Sequence, residues 1–282
     1  ETAIAMQPDR PMSYSPLLAI TVRNVDPAEC APAMNAILEL VPDPAQWQEA
    51  AEVDYWMMTN LGDCLYFHQR DPEAIQAYET AIALGHDDPV VYYSLAWPHL
   101  YLGNPTETVR YGEEALSRDP EYVQAVDAIV QGLLALARFE DASATLATHR
   151  ALMERSGTDL QMHNRAAWTM YLAGQNDLGL SVIQEWLAWA ETMMDAQPYP
   201  FGNSFDTLAQ LRAATGDTIG AAEAFRLAFE HYPTRELART DYRATLTAAG
   251  FEVGDGDEGI LAALEACAAT GPACRLIPEG FQ

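Results

Sequence analysis

Small residues recur along this chain at fixed offsets, and that recurrence restricts the possible folds more than any other feature. Leu61-Gly62, Leu95-Ala96 and Ile129-Val130 are spaced by 34 residues; Ala166-Ala167 and Leu208-Ala209 follow after steps of 37 and 42. Twelve residues beyond each pair stand Ala74, Thr108, Ala142, Gly179 and Ala221. Tyr78, Gly112, Leu146, Ile183 and Phe225 come next, then Ala81, Ala115, His149, Trp186 and Ala228, and Pro120 and Pro233 close the second and fifth units. Small side chains at these places let two helices approach while large ones fill the space between them. One such hairpin cannot bury its apolar face alone, so the units must stack.

Helix starts are written in a recurring Asx-Pro dipeptide: Asp26-Pro27, Asp43-Pro44, Asp71-Pro72, Asp88-Pro89, Asn104-Pro105 and Asp119-Pro120. The Asx side chain accepts from a free first-turn amide, and Pro in the first turn loses nothing by lacking its own. Glu29, Gln46 and Glu107 complete capping-box spacings after Asp26, Asp43 and Asn104. No stretch alternates with period two long enough to make a sheet. The expected fold is all-α.

The spacing resembles the tetratricopeptide repeat over residues 55–235, read as five units with boundaries near 88, 122, 159 and 201. The resemblance implies a right-handed superhelical solenoid of helix hairpins with helical caps. Units three and four depart from the pattern at His149 and Trp186, where a small residue is usual, so looser packing is expected there. Outside the repeats, residues 1–25 read as an extended, Pro-punctuated arm and 27–40 as an amphipathic helix, together an N-terminal segment 1–54. Helices at 236–249 and 259–269 within a segment 236–282 would cap the last unit, since terminal units must hide an apolar face. An aromatic, Pro-rich insertion, 197–203, separates units four and five.

The resemblance also implies a binding face. In the family, the first helix of each unit lines the concave surface, at six positions per unit. Carried over by register, these include Trp56, Thr59, Asn60, Asp63, Tyr66 and Phe67; Tyr93, Trp97 and Tyr101; Asn164, Arg165, Trp168 and Tyr171; and Asp206 and Gln210. Aromatics concentrate on this face and charges are sparse. Members that hold a partner's terminal carboxylate use Lys, Asn and Arg; this chain has no Lys, and Arg165 is the single cation among the carried-over positions. Asn60 and Asn164 would hold a backbone amide. Such a face suits an extended apolar or Pro-rich segment, although the same aromatics would also serve as core covered by the chain's own termini. Pro98, mid-helix beside Trp97, is expected to kink the helix and open the face.

The 41 acidic and 15 basic residues give a net charge of −26, which repels nucleic-acid phosphates and anionic membranes. No apolar run approaches the roughly 18 residues that span a bilayer, so direct membrane insertion is not expected. An even cysteine count and local proximity point to bridges Cys267–Cys274 and Cys30–Cys64 in an oxidising compartment; four small buried hydrophobes is the other reading. Glu1 in place of Met fits removal of an export signal, and fits an arbitrary chain boundary equally. The expectation is a periplasmic or secreted bacterial protein.

Chemistry-bearing motifs fail on inspection. Gly254-Asp-Gly256-Asp-Glu-Gly259 satisfies GxGxxG, but Asp255, Asp257 and Glu258 would repel a pyrophosphate. As a calcium loop from Asp255 it places Ala266 where the twelfth-position Glu belongs. No zinc spacing and no GxSxG elbow occur. The expectation is therefore no enzyme, no cofactor and no metal. A scaffold binding a protein or peptide is expected, or alternatively a subunit of a multi-protein assembly whose groove is filled by its own or a neighbour's terminal arm.

Overall fold

The computed structural model describes residues 7, 9–23, 27–50, 53–156, 162–190, 202–231 and 234–276. Among these the chain is all-α: fourteen helices, three short 3-10 turns and no strand. Two helices precede the repeats, α1 (Ser15–Arg23) and α2 (Pro27–Leu40). Ten helices then follow in pairs: α3 (Tyr55–Phe67) with α4 (Asp71–Ala83), α5 (Pro89–Tyr101) with α6 (Pro105–Arg118), and α7 (Gln124–Ala135) followed by α8 (Phe139–Ser156). The last two pairs are α9 (Met162–Leu172) with α10 (Asn176–Ala190) and α11 (Gly202–Ala214) with α12 (Thr218–Glu230). α13 (Arg235–Ala248) and α14 (Gly256–Ala269) close the array. The chain divides into two compact lobes, residues 1–138 with 145–156, and residues 139–144 with 157–282.

Local chemistry explains where the helices begin and end. Asp54 accepts from Met57 N at 2.7 Å, Asp88 from Val90 N at 2.9 Å, Asp217 from Gly220 N at 2.9 Å and Thr234 from Leu237 N at 3.1 Å. All five first helices of the pairs end in the same turn. One residue takes a left-handed φ: Gln69, Gly103, Ala137, Gly174 or Gly216. The next amide reaches back five residues: Arg70 to Leu65 O at 2.9 Å, Asn104 to His99 O at 2.8 Å, Arg138 to Leu133 O at 2.9 Å, Gln175 to Met170 O at 2.8 Å and Asp217 to Arg212 O at 2.9 Å. This closure satisfies carbonyls that a helix end leaves orphaned.

Close approach is visible at the small positions. A Cβ on Gly62 would lie 2.5 Å from the Tyr78 ring, and one on Gly112 would lie 2.6 Å from Ile129 and 3.2 Å from Ala125 O. The first lobe's core joins Leu18, Cys30, Ile37 and Trp47 to Met57, Leu61, Leu65, Tyr78 and Leu95. In the second lobe Met162, Met170, Ile183, Phe225, Phe229, Leu246 and Leu264 are buried. Two disulfides are present, Cys30–Cys64 with Cα atoms 6.1 Å apart and Cys267–Cys274 at 5.0 Å.

Four expectations are corrected. The arm read as extended to residue 25 is helical over Ser15–Arg23, because no Pro follows Pro16 until Pro27 and Leu18 is drawn into the core. Asp43 and Asp119 start turns, not long helices. Asp43 opens a 3-10 turn, Pro44–Gln46, and Asp119 accepts from Glu121 N at 2.9 Å ahead of a helix that starts at Gln124. Pro98, read as mid-helix, sits in the last turn of its helix, where a single bond to Ser94 is forfeited and Leu102 N still reaches Pro98 O at 3.0 Å. Trp186, for all its size, is buried; the insertion at 197–203 lies mostly outside the described residues.

Candidate functional site

In the first lobe the predicted residues fall into three aromatic groups on the first helices of the pairs. Trp56 on α3 lies 5.4 Å from Tyr55 and 4.8 Å from His86, measured between ring centroids. Tyr66 stands 6.0 Å from Phe67 and 6.1 Å from Tyr101 across to α5. Tyr93 meets Trp97 edge-on at 6.0 Å and Tyr122 at 5.6 Å. Trp56 is 50% exposed, Phe67 36% and Tyr101 63%, whereas Tyr66, Tyr93 and Trp97 are half-buried. Tyr66 and Tyr93 pack on the core beneath. The face is thus a row of rings seated in the core, with three of them presented to solvent.

Polar groups fix this row from below. Thr59 Oγ1 lies 2.7 Å from His86 Nδ1 and 2.9 Å from Tyr55 O. With the hydroxyl proton given to Tyr55 O, His86 must donate from Nδ1. Burial lowers the His86 pKa, so the ring stays neutral at neutral pH and keeps Nε2 as an acceptor. Tyr78 donates to Asp63 at 2.7 Å, and burial lifts the Asp63 pKa to about 6 against that bond. Asn60 Nδ2 donates to Trp56 O within its own helix at 2.7 Å, which engages part of the amide expected to hold a ligand backbone.

The second lobe is different. Arg165 is exposed and Trp168 half-buried, its ring 5.3 Å from Tyr171. Asn164 Oδ1 is buried and has no hydrogen-bond partner among the described residues. Tyr171, expected as a contact for a partner, is 3% exposed and donates to Gln210 Oε1 at 3.3 Å. It is covered because the chain's own tail reaches this face: Gln210 Nε2 donates to Leu276 O at 3.0 Å, and Leu276 N donates to Gln210 Oε1 at 3.1 Å. Beside it Tyr242 donates to Asp206 at 2.9 Å, and burial raises the Asp206 pKa to about 7.

Among the described residues, the nearest approach to a metal-ligand set is Cys30, Cys64 and His68, with ligand atoms within 4.8 Å of one another; both sulfurs are already spent in a disulfide.

No family model and no curated protein matches the sequence. Solved structures do match. A tetratricopeptide repeat protein from Parabacteroides merdae is 14% identical, covers 84% of this chain and 86% of its own, and superposes with a TM-score of 0.51. The apo form of RapI is likewise 14% identical, covers 92% of this chain and 74% of its own, with a TM-score of 0.58. The chain has the tetratricopeptide-repeat fold.

Within that fold, sequence register had named most of the first-helix face, but it missed three contributors. His86 and Tyr122 lie in the connections preceding α5 and α7 and join the rings from outside the repeat positions. Leu276 follows the last helix by several residues, beyond any tetratricopeptide register. Cys274, which bridges back to α14, was the one signal that this segment is held.

Proposed function

We propose that the chain is a non-catalytic protein-interaction scaffold of the bacterial envelope, and that the first lobe's aromatic face binds an extended apolar or Pro-rich segment of another protein. The observation that carries this reading is the partial exposure of Trp56, Phe67 and Tyr101 on neighbouring first helices, above rings anchored in the core. Large aromatics half-seated in a core lose little conformational freedom on binding and commonly dominate interface energy. The pairing of all four cysteines supports an oxidising compartment. The two buried carboxyl groups with raised pKa values, Asp63 and Asp206, each face a tyrosine and stand in different lobes, which favours binding over acid–base chemistry.

A library of immobilised extended peptides, Pro-rich and apolar against polar controls, tests the reading. Trp56→Ala with Tyr101→Ala should weaken captured peptides at least tenfold and leave the melting temperature within a few degrees, because both side chains are largely outside the core. Unchanged capture, or a large fall in melting temperature, would sink it. The alternative, a subunit whose groove is filled by its own terminus, draws support in the second lobe alone, where the tail lies on α11.

A further inference from the structure

The contact between Gln210 and the tail has the form of a recognition site. Gln210 sits on the first-helix face of α11 with 0% exposure, and its side-chain amide engages both backbone polar groups of Leu276. An amide that donates to a residue's carbonyl and accepts from its N–H reads that residue as a neighbouring strand would, whatever its side chain. Side chains then add selectivity. Leu276 is 2% exposed, and the Arg275 guanidinium carbon lies 5.7 Å from the centroid of the Tyr171 ring. Tyr171 completes the floor by donating to the same Gln210 oxygen. With the tail removed, Gln210 would lose both backbone partners and keep only the Tyr171 hydroxyl, which frees its amide for another extended segment. The occupant it holds is tethered: Cys274 is bridged to Cys267 on α14, and the 3-10 turn Gly271–Ala273 leads straight into the bound residues.

We propose that this face of the second lobe is a second peptide-binding site, whose outside ligand is an extended protein segment with a basic residue followed by a leucine-like one, and that residues 274–276 are its resident competitor. The excess of acidic residues over the whole chain favours the approach of a basic segment over an acidic one. The inference does not depend on the aromatic face of the first lobe, since it uses none of those residues.

The probe is a fluorescent acetyl-Gly-Pro-Ala-Ser-Arg-Leu-amide, the tail segment with Ser for Cys. A tethered tail acts at an effective concentration of about millimolar, so the intact oxidised chain should not bind the probe at micromolar concentrations. The full chain carrying Cys267→Ser, Cys274→Ser and Leu276→Asp should bind it. Adding Gln210→Ala, or changing Arg to Glu in the probe, should each weaken binding at least tenfold. A folded triple variant that ignores the probe, or binds it equally after Gln210→Ala, overturns the proposal. A second measurement needs no variant. In the native chain reduced with a dithiol, millimolar probe should speed alkylation of Cys274 by iodoacetamide at least tenfold, read by mass spectrometry, and the Glu probe should not. Equal rates with both probes overturn the proposal as well.

Discussion

The Tyr78 hydroxyl donates to Asp63 across 2.7 Å, tying the second helix of the first hairpin to the first. Burial is the larger influence on this carboxyl and raises its pKa to about 6, with the Tyr78 bond opposing. A folded-state pKa above the unfolded one means that the folded chain holds the proton more tightly. The stability so gained is fully present below the unfolded pKa, roughly pH 4, and is lost as pH rises through roughly 6. Asp63→Asn should therefore flatten the pH dependence of urea unfolding across that window. Relative to the parent chain, the variant's stability should improve toward pH 7, by at most about 3 kcal/mol at about 1.4 kcal/mol per pKa unit. A difference between the two proteins that does not change from pH 4 to 7 would refute the assignment.

Gly62 leaves no room for a methyl group, since a Cβ would sit 2.5 Å from the Tyr78 ring. The ring is buried and hydrogen-bonded, so it cannot swing aside. Gly62→Ala should cost about 1–3 kcal/mol, as overpacked cores do, and thermal melts would register it. A neutral result would mean that α3 and α4 separate more easily than their packing implies.

Left-handed turn positions make a sharper internal comparison. Gly103, Gly174 and Gly216 hold this conformation freely, but Gln69 and Ala137 hold it with φ of 57° and 56° at a steric cost. Ala137→Gly should raise stability by about 0.5 kcal/mol, the relief being partly offset by the freer unfolded chain. Gly103→Ala should lower it by about 1 kcal/mol. Chemical denaturation of the two variants in parallel would show opposite signs.

The Cys30–Cys64 bridge closes a sequence separation of 34 residues and fastens α2 to α3. Replacing both cysteines by Ser should lower stability by about 4 kcal/mol, following loop-closure entropy. Reduction of the native chain, which also opens Cys267–Cys274, should cost at least as much. If the double variant melts with the parent, the bridge only records proximity already fixed by the core.

The pattern of Gly62, Ala96 and Gly179 was legible in the sequence because close helix packing favours small residues there. Asx-Pro was less informative, because the same side-chain-to-amide bond starts a helix at Asp88 and only a turn at Asp119. Helix α1 was hidden by the prolines before it, although Pro16 sits in a first turn where its missing amide costs nothing. At the candidate site, register could place Tyr171 on the first-helix face but could not show what covers it. The covering residue, Leu276, lies 66 residues from Gln210, and a neutral amide at a groove position announces neither its partner nor its direction.

The shared turn after each first helix has a consequence for how such a chain can change length. Gln69, Gly103, Ala137, Gly174 and Gly216 each stand seven residues past the small pair and two before the next helix begins. The surplus in the longer 37- and 42-residue steps therefore falls after His149 and after Trp186, past the packed part of each hairpin; after His149 part of it lengthens α8, which runs on to Ser156. A residue inserted inside a hairpin rotates every later side chain on that helix by about 100° and turns core outward. One inserted between hairpins leaves both partners in register. The junctions between hairpins are thus the growth points of this chain, where new loops, and with them new specificities, can be added without redesigning the core.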